Sequence, residues 1–176
     1  MALQGSLRLV RWSAELDEAA RLAHNDAFRD HWGSEPIAAE QWSRGRSEFA
    51  PTWSWLVVDD DPAAEALADL DAETRASLDA GAPLVVGYQM ASRYEGDFAL
   101  RGYSFGYTDL LGVRRAWRGR RIALALLSAG MRSFAEDGME AAVLDVDTAS
   151  PTGADGLYAS LGYAKVSGSH MASIEL

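Results

Sequence analysis

The sequence predicts an α/β fold in which helices pack on a mixed central sheet. Short runs that alternate polar and apolar residues, or that are wholly apolar, indicate strands, and they are interspersed with stretches of helical periodicity. The apolar run 141–146 follows a long amphipathic helix, which favours a strand parallel to the one before that helix. With 176 residues, 48% of them hydrophobic, the chain can bury one core. A single domain over residues 1–176 is therefore expected.

Turn residues and helix-capping residues bound these elements. Ser13 suits the N-cap of a first helix whose apolar stripe ends near Phe28. Gly87 lies inside the third strand, where an isolated glycine is typical of a bulge. Gly138 follows the long helix as its C-terminal cap, and Gly162 ends the last helix. The predicted strands are 6–12, 53–58, 83–93, 103–113, 141–146, 163–166 and 170–176; the predicted helices are 13–28, 38–49, 121–137 and 153–161.

An acidic segment, residues 59–82, separates the second and third strands. It is rich in Asp, Ala and Glu, and it predicts a helix over 62–79 that begins with Pro62 and stops at Gly81. A hairpin connection takes two to five residues, so this segment is an insertion. Two interpretations remain open: a solvated decoration, or a lid or subunit contact.

Composition restricts the classes of function and partner. The net charge is −10, from 16 basic and 26 acidic residues, which disfavours nucleic acid and anionic membranes as partners. The charge would suit a cationic substrate such as an amine, although an acidic surface also simply keeps a protein soluble. There is no cysteine, and the three histidines are too scattered to predict a metal site. The chain shows neither a long apolar run nor a signal segment, so a soluble cytoplasmic protein is expected.

An arginine-rich turn between a strand and a helix is the most informative segment. Five arginines fall within residues 114–121, although the chain as a whole is acidic. The first turn of the following helix leaves backbone N–H groups without acceptors, and the helix dipole favours an anion there. Gly119 allows the backbone to approach a ligand closely. The turn therefore predicts a phosphate-binding site.

The same turn resembles the acyl-CoA signature of the GNAT superfamily of acetyltransferases. Residues 118–123 read Arg-Gly-Arg-Arg-Ile-Ala, and Arg118 and Ala123 match the pattern, whereas Arg121 stands where the family usually has glycine. Leu111-Gly-Val113 supplies the strand end that the family places before the signature. A second family signature, Ala-x-x-x-Tyr-x-x-x-Gly-Tyr, is matched over 154–163, in the expected order. The resemblance therefore extends beyond a single short motif.

The resemblance implies a fold, a co-substrate and a reaction. The fold has six or seven strands splayed between the fourth and fifth, about four helices and, in this chain, the acidic helical insertion near 59–82. Acetyl-CoA would lie between the strands that end near Val113 and Val146, and its acetyl group would pass directly to a primary amine of a small molecule or peptide, with no metal. The implied cofactor-binding residues are Leu111, Gly112 and Val113 for the pantetheine, Arg118, Gly119, Arg120, Arg121, Ile122 and Ala123 for the diphosphate, and Ser150, where many relatives carry an asparagine.

Two residues are candidates for the proton transfers of this reaction. Tyr158 occupies the family's tyrosine position and would protonate the leaving thiolate, although a tyrosine on a short helix can equally pack its ring and leave its hydroxyl wet. Asp109 is the candidate base, on the face of its strand shared with residues 111 and 113 by alternation. Glu95 and Asp30 are rivals for the base, and a solvated carboxylate is the alternative for Asp109.

The acceptor pocket and the role of Arg121 are less determined. Relatives wall that pocket with the loop that contains Asp30, His31 and Trp32, and Glu95 joins these candidates. Trp32 and the tryptophans at 42, 53 and 55 could line the pocket or belong to the core. An outward Arg121 could bind the 3′-phosphate of CoA, which we favour, whereas an inward one would block the site. Two alternative functions remain: a non-catalytic acyl-CoA-binding module, or one half of a tandem GNAT protein, and a nucleic-acid binder. Formation of a homodimer is left open.

Overall fold

The computed structural model describes residues 3–29, 35–44, 46–146 and 154–166. The chain divides into two compact units, Met1–Asp145 and Val146–Leu176. The first unit contains the sheet and six of the described α-helices. The second contributes one described helix, which contains Tyr158.

A five-stranded mixed sheet forms the centre of the first unit. The strands lie in chain order, the first four are antiparallel, and the fifth is parallel to the fourth, as the apolar run after the long helix predicted. The strands are β1 (Leu7–Arg11), β2 (Trp55–Asp59), β3 (Val85–Ser92), β4 (Phe105–Val113) and β5 (Ala141–Leu144).

Helices cover both faces of this sheet. The buried side of the first helix packs with Leu56, Tyr88 and Met90, whereas the longest helix packs with the opposite face through Ile122 and Leu126. The helices of the first unit are α1 (Asp17–Phe28), α2 (Ala39–Trp42), α3 (Ala64–Ala68), α4 (Ala72–Asp79), α5 (Glu95–Arg101) and α6 (Ile122–Glu136); α7 (Ala154–Ser160) belongs to the second unit.

Close packing on the α6 face explains the glycine of the third strand. The register between β2 and β3 shifts beside Gly87, which confirms the predicted irregularity. A Cβ at this position would lie 2.6 Å from Cγ2 of Ile122, so the absence of a side chain lets α6 approach the sheet. The tryptophans at 42 and 53 are core residues, 6% and 1% exposed, which decides their role in favour of packing.

Several predicted boundaries are wrong. The helix expected over 38–49 covers only Ala39–Trp42, after which Phe49 bridges to Ser92 on the edge of β3. A helix over Glu95–Arg101 was not predicted. Residues 163–166 form no strand, and the strand predicted over 170–176 lies outside the described residues, so five strands are described where six or seven were expected.

The acidic insertion folds as two helices, α3 and α4, rather than one. The predicted helix is interrupted at Asp71, whose carboxylate accepts a hydrogen bond from the backbone N–H of Thr74 at 2.8 Å and caps α4. The insertion packs on the first unit through Ala66 and Leu70 in the core. Arg21 of α1 also lies 2.5 Å from a carboxylate oxygen of Glu73. The insertion is therefore anchored to α1. No helix in the described ranges is long and apolar enough to cross a membrane.

Candidate functional site

The turn after β4 presents the start of α6 to solvent. Gly119 has a φ of 77° and Arg121 a φ of 60°, so the backbone passes twice through the left-handed region before α6 begins at Ile122. The first N–H groups of an α-helix have no acceptor within it, and the side chain of Arg121 makes no capping hydrogen bond. A 15-residue helix thus starts with free N–H donors, the arrangement that favours a phosphate.

The five arginines of the turn do not share one role. Arg114 is only 1% exposed, and its Nε donates to the carbonyl oxygen of Val85 at 2.7 Å. Its Nη1 lies 3.3 Å from the carboxylate of Asp26, itself buried on α1. Burial lowers the pKa of Arg114, and the charge of Asp26 opposes that effect. The prediction that the whole turn from Arg114 to Arg120 binds an anion is therefore wrong for Arg114, which joins β3 to α1.

Arg118 links the turn to α1, whereas the side chains of Arg120 and Arg121 are exposed. Nη2 of Arg118 donates to the carbonyl oxygen of Ala27 at 2.7 Å, and Nε donates to that of Val113 at 3.3 Å. Arg120 and Arg121 are exposed, and neither has an ion pair or hydrogen bond within the described ranges. These two guanidinium groups carry the uncommitted positive charge beside the N-terminus of α6.

The end of β4 has no described strand partner on its β5 side. Residues 111–113 pair with β3 on one side, but the parallel pairing with β5 ends at Thr108 and Leu144. β4 therefore continues five residues past its described β5 partner, consistent with the expected splay. Gly112 is buried at this edge, where an added Cβ would overlap the hydroxyl of Tyr88, itself hydrogen-bonded to Nδ1 of His24 at 2.7 Å.

Asp109 lies at an irregularity of β4. Met90 pairs with Leu110 and Ala91 with Thr108, which leaves Asp109 as an extra residue without a partner on β3. Because the register shifts at Asp109, alternation alone does not fix whether its side chain shares a face with residues 111 and 113. Asp109 is exposed, and its Oδ1 accepts a hydrogen bond from the hydroxyl of Tyr94 at 2.8 Å. No sequence signal pointed to Tyr94, which lies two residues after the end of β3 and directly before α5.

Glu95 lies in a different contact. It forms an ion pair with Arg93 at 2.8 Å, and Arg93 lies 3.8 Å from Asp137 at the end of α6. These side chains line a cavity of about 350 Å³ together with Trp53. No described contact joins Glu95 to Asp109, because Glu95 pairs with Arg93 and Asp109 with Tyr94. Within the described ranges, no three His, Asp or Glu side chains are grouped closely enough to hold a metal ion.

The remaining predicted residues divide between the second unit and undescribed segments. Tyr158 of α7 is half-buried, and its ring centroid lies 6.0 Å from that of Tyr163 at 73°. The hydrogen bond from the N–H of Tyr163 to the carbonyl of Tyr158 closes the turn at Gly162. Asp30, His31, Trp32 and Ser150 lie outside the described residues.

Comparison with known proteins identifies the family. The model of the acetyltransferase (GNAT) family matches residues 18–163. A GCN5-related N-acetyltransferase from Sphaerobacter thermophilus is similar over 92% of this chain, with 26% identity and a TM-score of 0.61. This chain spans only 42% of the length of that protein. No curated protein sequence matches the chain.

Aminoglycoside acetyltransferases share the fold at lower identity. One, from an uncultured soil metagenomic sample and solved with sisomicin, has 15% identity, covers 97% of each chain and gives a TM-score of 0.62. Another, AAC(6')-Iy, was solved with the bisubstrate analogue CoA-S-monomethyl-acetylneamine; it has 13% identity, covers 98% of this chain and all of its own, and gives a TM-score of 0.63. Because the family model matches most of the chain, this protein belongs to the GNAT acetyltransferase family.

Proposed function

We propose that this protein transfers an acetyl group from acetyl-CoA to a primary amine of a small molecule or peptide. The observation that carries the proposal is the uncapped start of α6, which follows two left-handed residues and lies beside exposed Arg120 and Arg121. Family membership supports acyl transfer as the reaction class. The neighbours solved with sisomicin and with a CoA-linked neamine support an amine acceptor and a CoA donor.

The donor would be held by backbone and arginine contacts. Its diphosphate lies over residues 118–123 in this proposal, where free N–H groups and guanidinium groups converge. Its pantetheine arm follows Leu111, Gly112 and Val113, whose edge is unpaired toward β5, and Ser150 adds a hydrogen bond. Exposed Arg121 reaches the 3′-phosphate.

The transfer itself needs positioning and two proton movements. The neutral amine nitrogen attacks the thioester carbonyl carbon, a C–N bond forms, and the C–S bond breaks. Asp109 takes the proton that the amine loses, and Tyr158 gives its phenolic proton to the departing thiolate. The acceptor is bound by Asp30, His31, Trp32 and Glu95. No covalent acetyl-enzyme is formed.

Two measurements test the proposal in sequence. Calorimetric titration with acetyl-CoA should show binding that weakens when either Arg120 or Arg121 is replaced by alanine, whereas Arg132→Ala on the exposed side of α6 removes the same charge away from the turn. CoA release is then followed with sisomicin, spermidine, lysine and a short peptide as acceptors. Absence of acetyl-CoA binding would contradict the proposal.

A non-catalytic acyl-CoA-binding module is the second candidate. Two observations favour it: the chain spans 42% of the Sphaerobacter protein, as one half of a tandem protein would, and Arg121 replaces the usual glycine of the signature. Acetyl-CoA binding without turnover of any amine in the panel would support the module and contradict the transferase.

A further inference from the structure

The carboxylate of Asp109 lies where two strand pairings are interrupted together. β3 skips this residue in its register, and β5 stops pairing with β4 one residue earlier, at Thr108. A bulged residue breaks the alternation of a strand and redirects its side chain. Asp109 is consequently exposed at the point where β4 leaves its parallel neighbour.

A single described side chain holds this carboxylate. The hydroxyl of Tyr94 donates to Oδ1 of Asp109 at 2.8 Å, and no described residue bonds Oδ2. Tyr94 is itself half-buried, and its ring packs edge-on against Tyr107 at 5.4 Å and 86°. The phenol is thus fixed by its ring contact and by the hydrogen bond to Asp109.

The groups around this pair keep both tyrosines protonated. Burial and then the hydrogen bond to Asp109 raise the pKa of Tyr94, and the charge of Glu48, from the segment before β2, adds to the rise. Burial and a hydrogen bond to Asp145, at the end of β5, likewise raise the pKa of Tyr107. Tyr94 therefore acts as a hydrogen-bond donor and not as a proton source.

We propose that Tyr94 is a positioning residue for Asp109: its hydroxyl holds one carboxylate oxygen and leaves Oδ2 to accept the proton of the attacking amine. The inference rests on the proposed function, in which Asp109 is the base. One proton moves from the amine nitrogen to Oδ2, and Tyr94 keeps its own. The neighbouring Tyr107 supports the ring of Tyr94, so the arrangement spans the end of β3, α5 and β4.

The arrangement predicts the effect of losing the phenol oxygen. The donor fixes one oxygen of the carboxylate, so its removal leaves Asp109 freer to rotate. Tyr94→Phe should lower kcat about tenfold with little change in the KM for acetyl-CoA.

The experiment compares Tyr94→Phe with Tyr103→Phe, which removes a phenol oxygen from a half-buried ring packed on Phe105. CoA release is measured with sisomicin, and the carbon NMR signal of the Asp109 carboxyl is recorded at one fixed pH. Asp109→Asn and the double variant complete a cycle. The expected result is a displaced Asp109 carboxyl signal in Tyr94→Phe and not in Tyr103→Phe, with no further loss of rate when Tyr94→Phe is added to Asp109→Asn.

Each outcome bears on a distinct statement. An unmoved Asp109 carboxyl signal in Tyr94→Phe, or equal effects of Tyr94→Phe and Tyr103→Phe, would overturn the positioning role. A further rate loss from Tyr94→Phe in the Asp109→Asn background would also overturn it. A full rate in Asp109→Asn would contradict the proposed base instead. If sisomicin is not acetylated, the NMR comparison alone decides whether Tyr94 holds the carboxylate.

Discussion

Arg121 combines backbone strain with an exposed charge at the start of α6. Its φ of 60° is the one positive φ of a non-glycine residue in the described ranges. The left-handed region costs an L-residue about 1–2 kcal/mol, which explains why glycine suits this position of the turn. The guanidinium group nevertheless lies exposed at the start of α6.

Replacing Arg121 separates its backbone from its charge. Arg121→Gly relieves the left-handed strain and should raise the free energy of unfolding by about 1 kcal/mol, whereas Arg121→Ala keeps the strain. Both variants lose the guanidinium, so both should bind acetyl-CoA more weakly than the wild type. Urea unfolding and calorimetry measure the two effects. Unchanged affinity in both variants would remove Arg121 from the phosphate site.

His24 makes stability depend on pH. It is 8% exposed, stacks on Phe28 and bonds Tyr88, and burial lowers its pKa to about 4 from 6.5. The unfolded chain therefore binds the proton more tightly than the folded protein does. The stabilisation that depends on neutral, buried His24 is complete above the unfolded pKa and is lost as the pH falls from 6.5 toward 4. The loss approaches about 3 kcal/mol.

The variant His24→Gln provides the measurement for this effect. Its unfolding in urea is compared with that of the wild type near pH 7 and near pH 5, so that carboxylates titrating in both proteins cancel. The wild type should lose more stability between these two conditions than the variant. Equal losses would show that burial does not lower the pKa of His24 in the folded protein.

Tyr158 is the residue at which packing and catalysis must be separated. Tyr158→Phe keeps the ring beside Tyr163 and removes the phenolic proton. If the proton passes to the thiolate, kcat should fall about 100-fold while the dissociation constant for acetyl-CoA stays unchanged. Tyr163→Phe, in the same ring pair, is the control. A normal rate in Tyr158→Phe would leave packing as its role.

At the level of elements, a buried ion pair joins Arg114, directly after β4, to Asp26 on α1. Arg114 lies between Asp26 on α1 and the hydroxyl of Thr74 on α4, 3.4 Å away, so three elements meet at one guanidinium. Burial raises the pKa of Asp26 and lowers that of Arg114, and the attraction between them opposes both effects. The pair is therefore sensitive to the loss of either partner.

Asp26→Asn leaves Arg114 buried without its neutralising carboxylate. We expect the free energy of unfolding to fall by about 3 kcal/mol, because an uncompensated buried charge is costly. Asp60→Asn breaks the surface pair with Arg8, in which both side chains are about half exposed, and should change stability little. Urea unfolding compares the two. Similar values for both variants would mean that solvent compensates Arg114.

The length and regularity of its sequence pattern explain whether each element was predictable. α6 and β4 carry long, regular patterns, and their predicted bounds lie within two residues of those observed. α5 has seven residues, too few to show helical periodicity. The helix predicted after residue 38 shortened because the chain following it runs along β3, with the N–H of Ala50 bonded to the carbonyl of Ala91. That contact depends on tertiary packing.

For the molecule as a whole, the site was predictable where chemistry is local. The turn, its glycine and the start of α6 lie within six residues and were read directly from the sequence. Tyr94 and Asp109 are 15 residues apart, and Arg118 and Ala27 are 91 apart. These pairings depend on how the strands and helices assemble. Arg114 and Arg118 lie close together in the sequence, but the fold gives them different contacts.

Ligand binding should stabilise the whole fold if acetyl-CoA binds the native state alone. A concentration of 100 times the dissociation constant should add about 2.7 kcal/mol to the free energy of unfolding. The thermal midpoint is measured with acetyl-CoA and with an equal concentration of acetate. A shift with acetate as large as that with acetyl-CoA would show a general anion effect. The absence of any shift would indicate that the nucleotide is not bound.

The hydrogen bond from Arg118 to the carbonyl of Ala27 carries a thermodynamic consequence for any anion that recruits this guanidinium. The incoming oxygen replaces an acceptor already present, so only the difference between the two bonds contributes to affinity. Giving up the carbonyl also loosens the junction between the turn and the last residues of α1. In the proposed function, occupancy by the diphosphate is thereby coupled to the order of the C-terminal turn of α1.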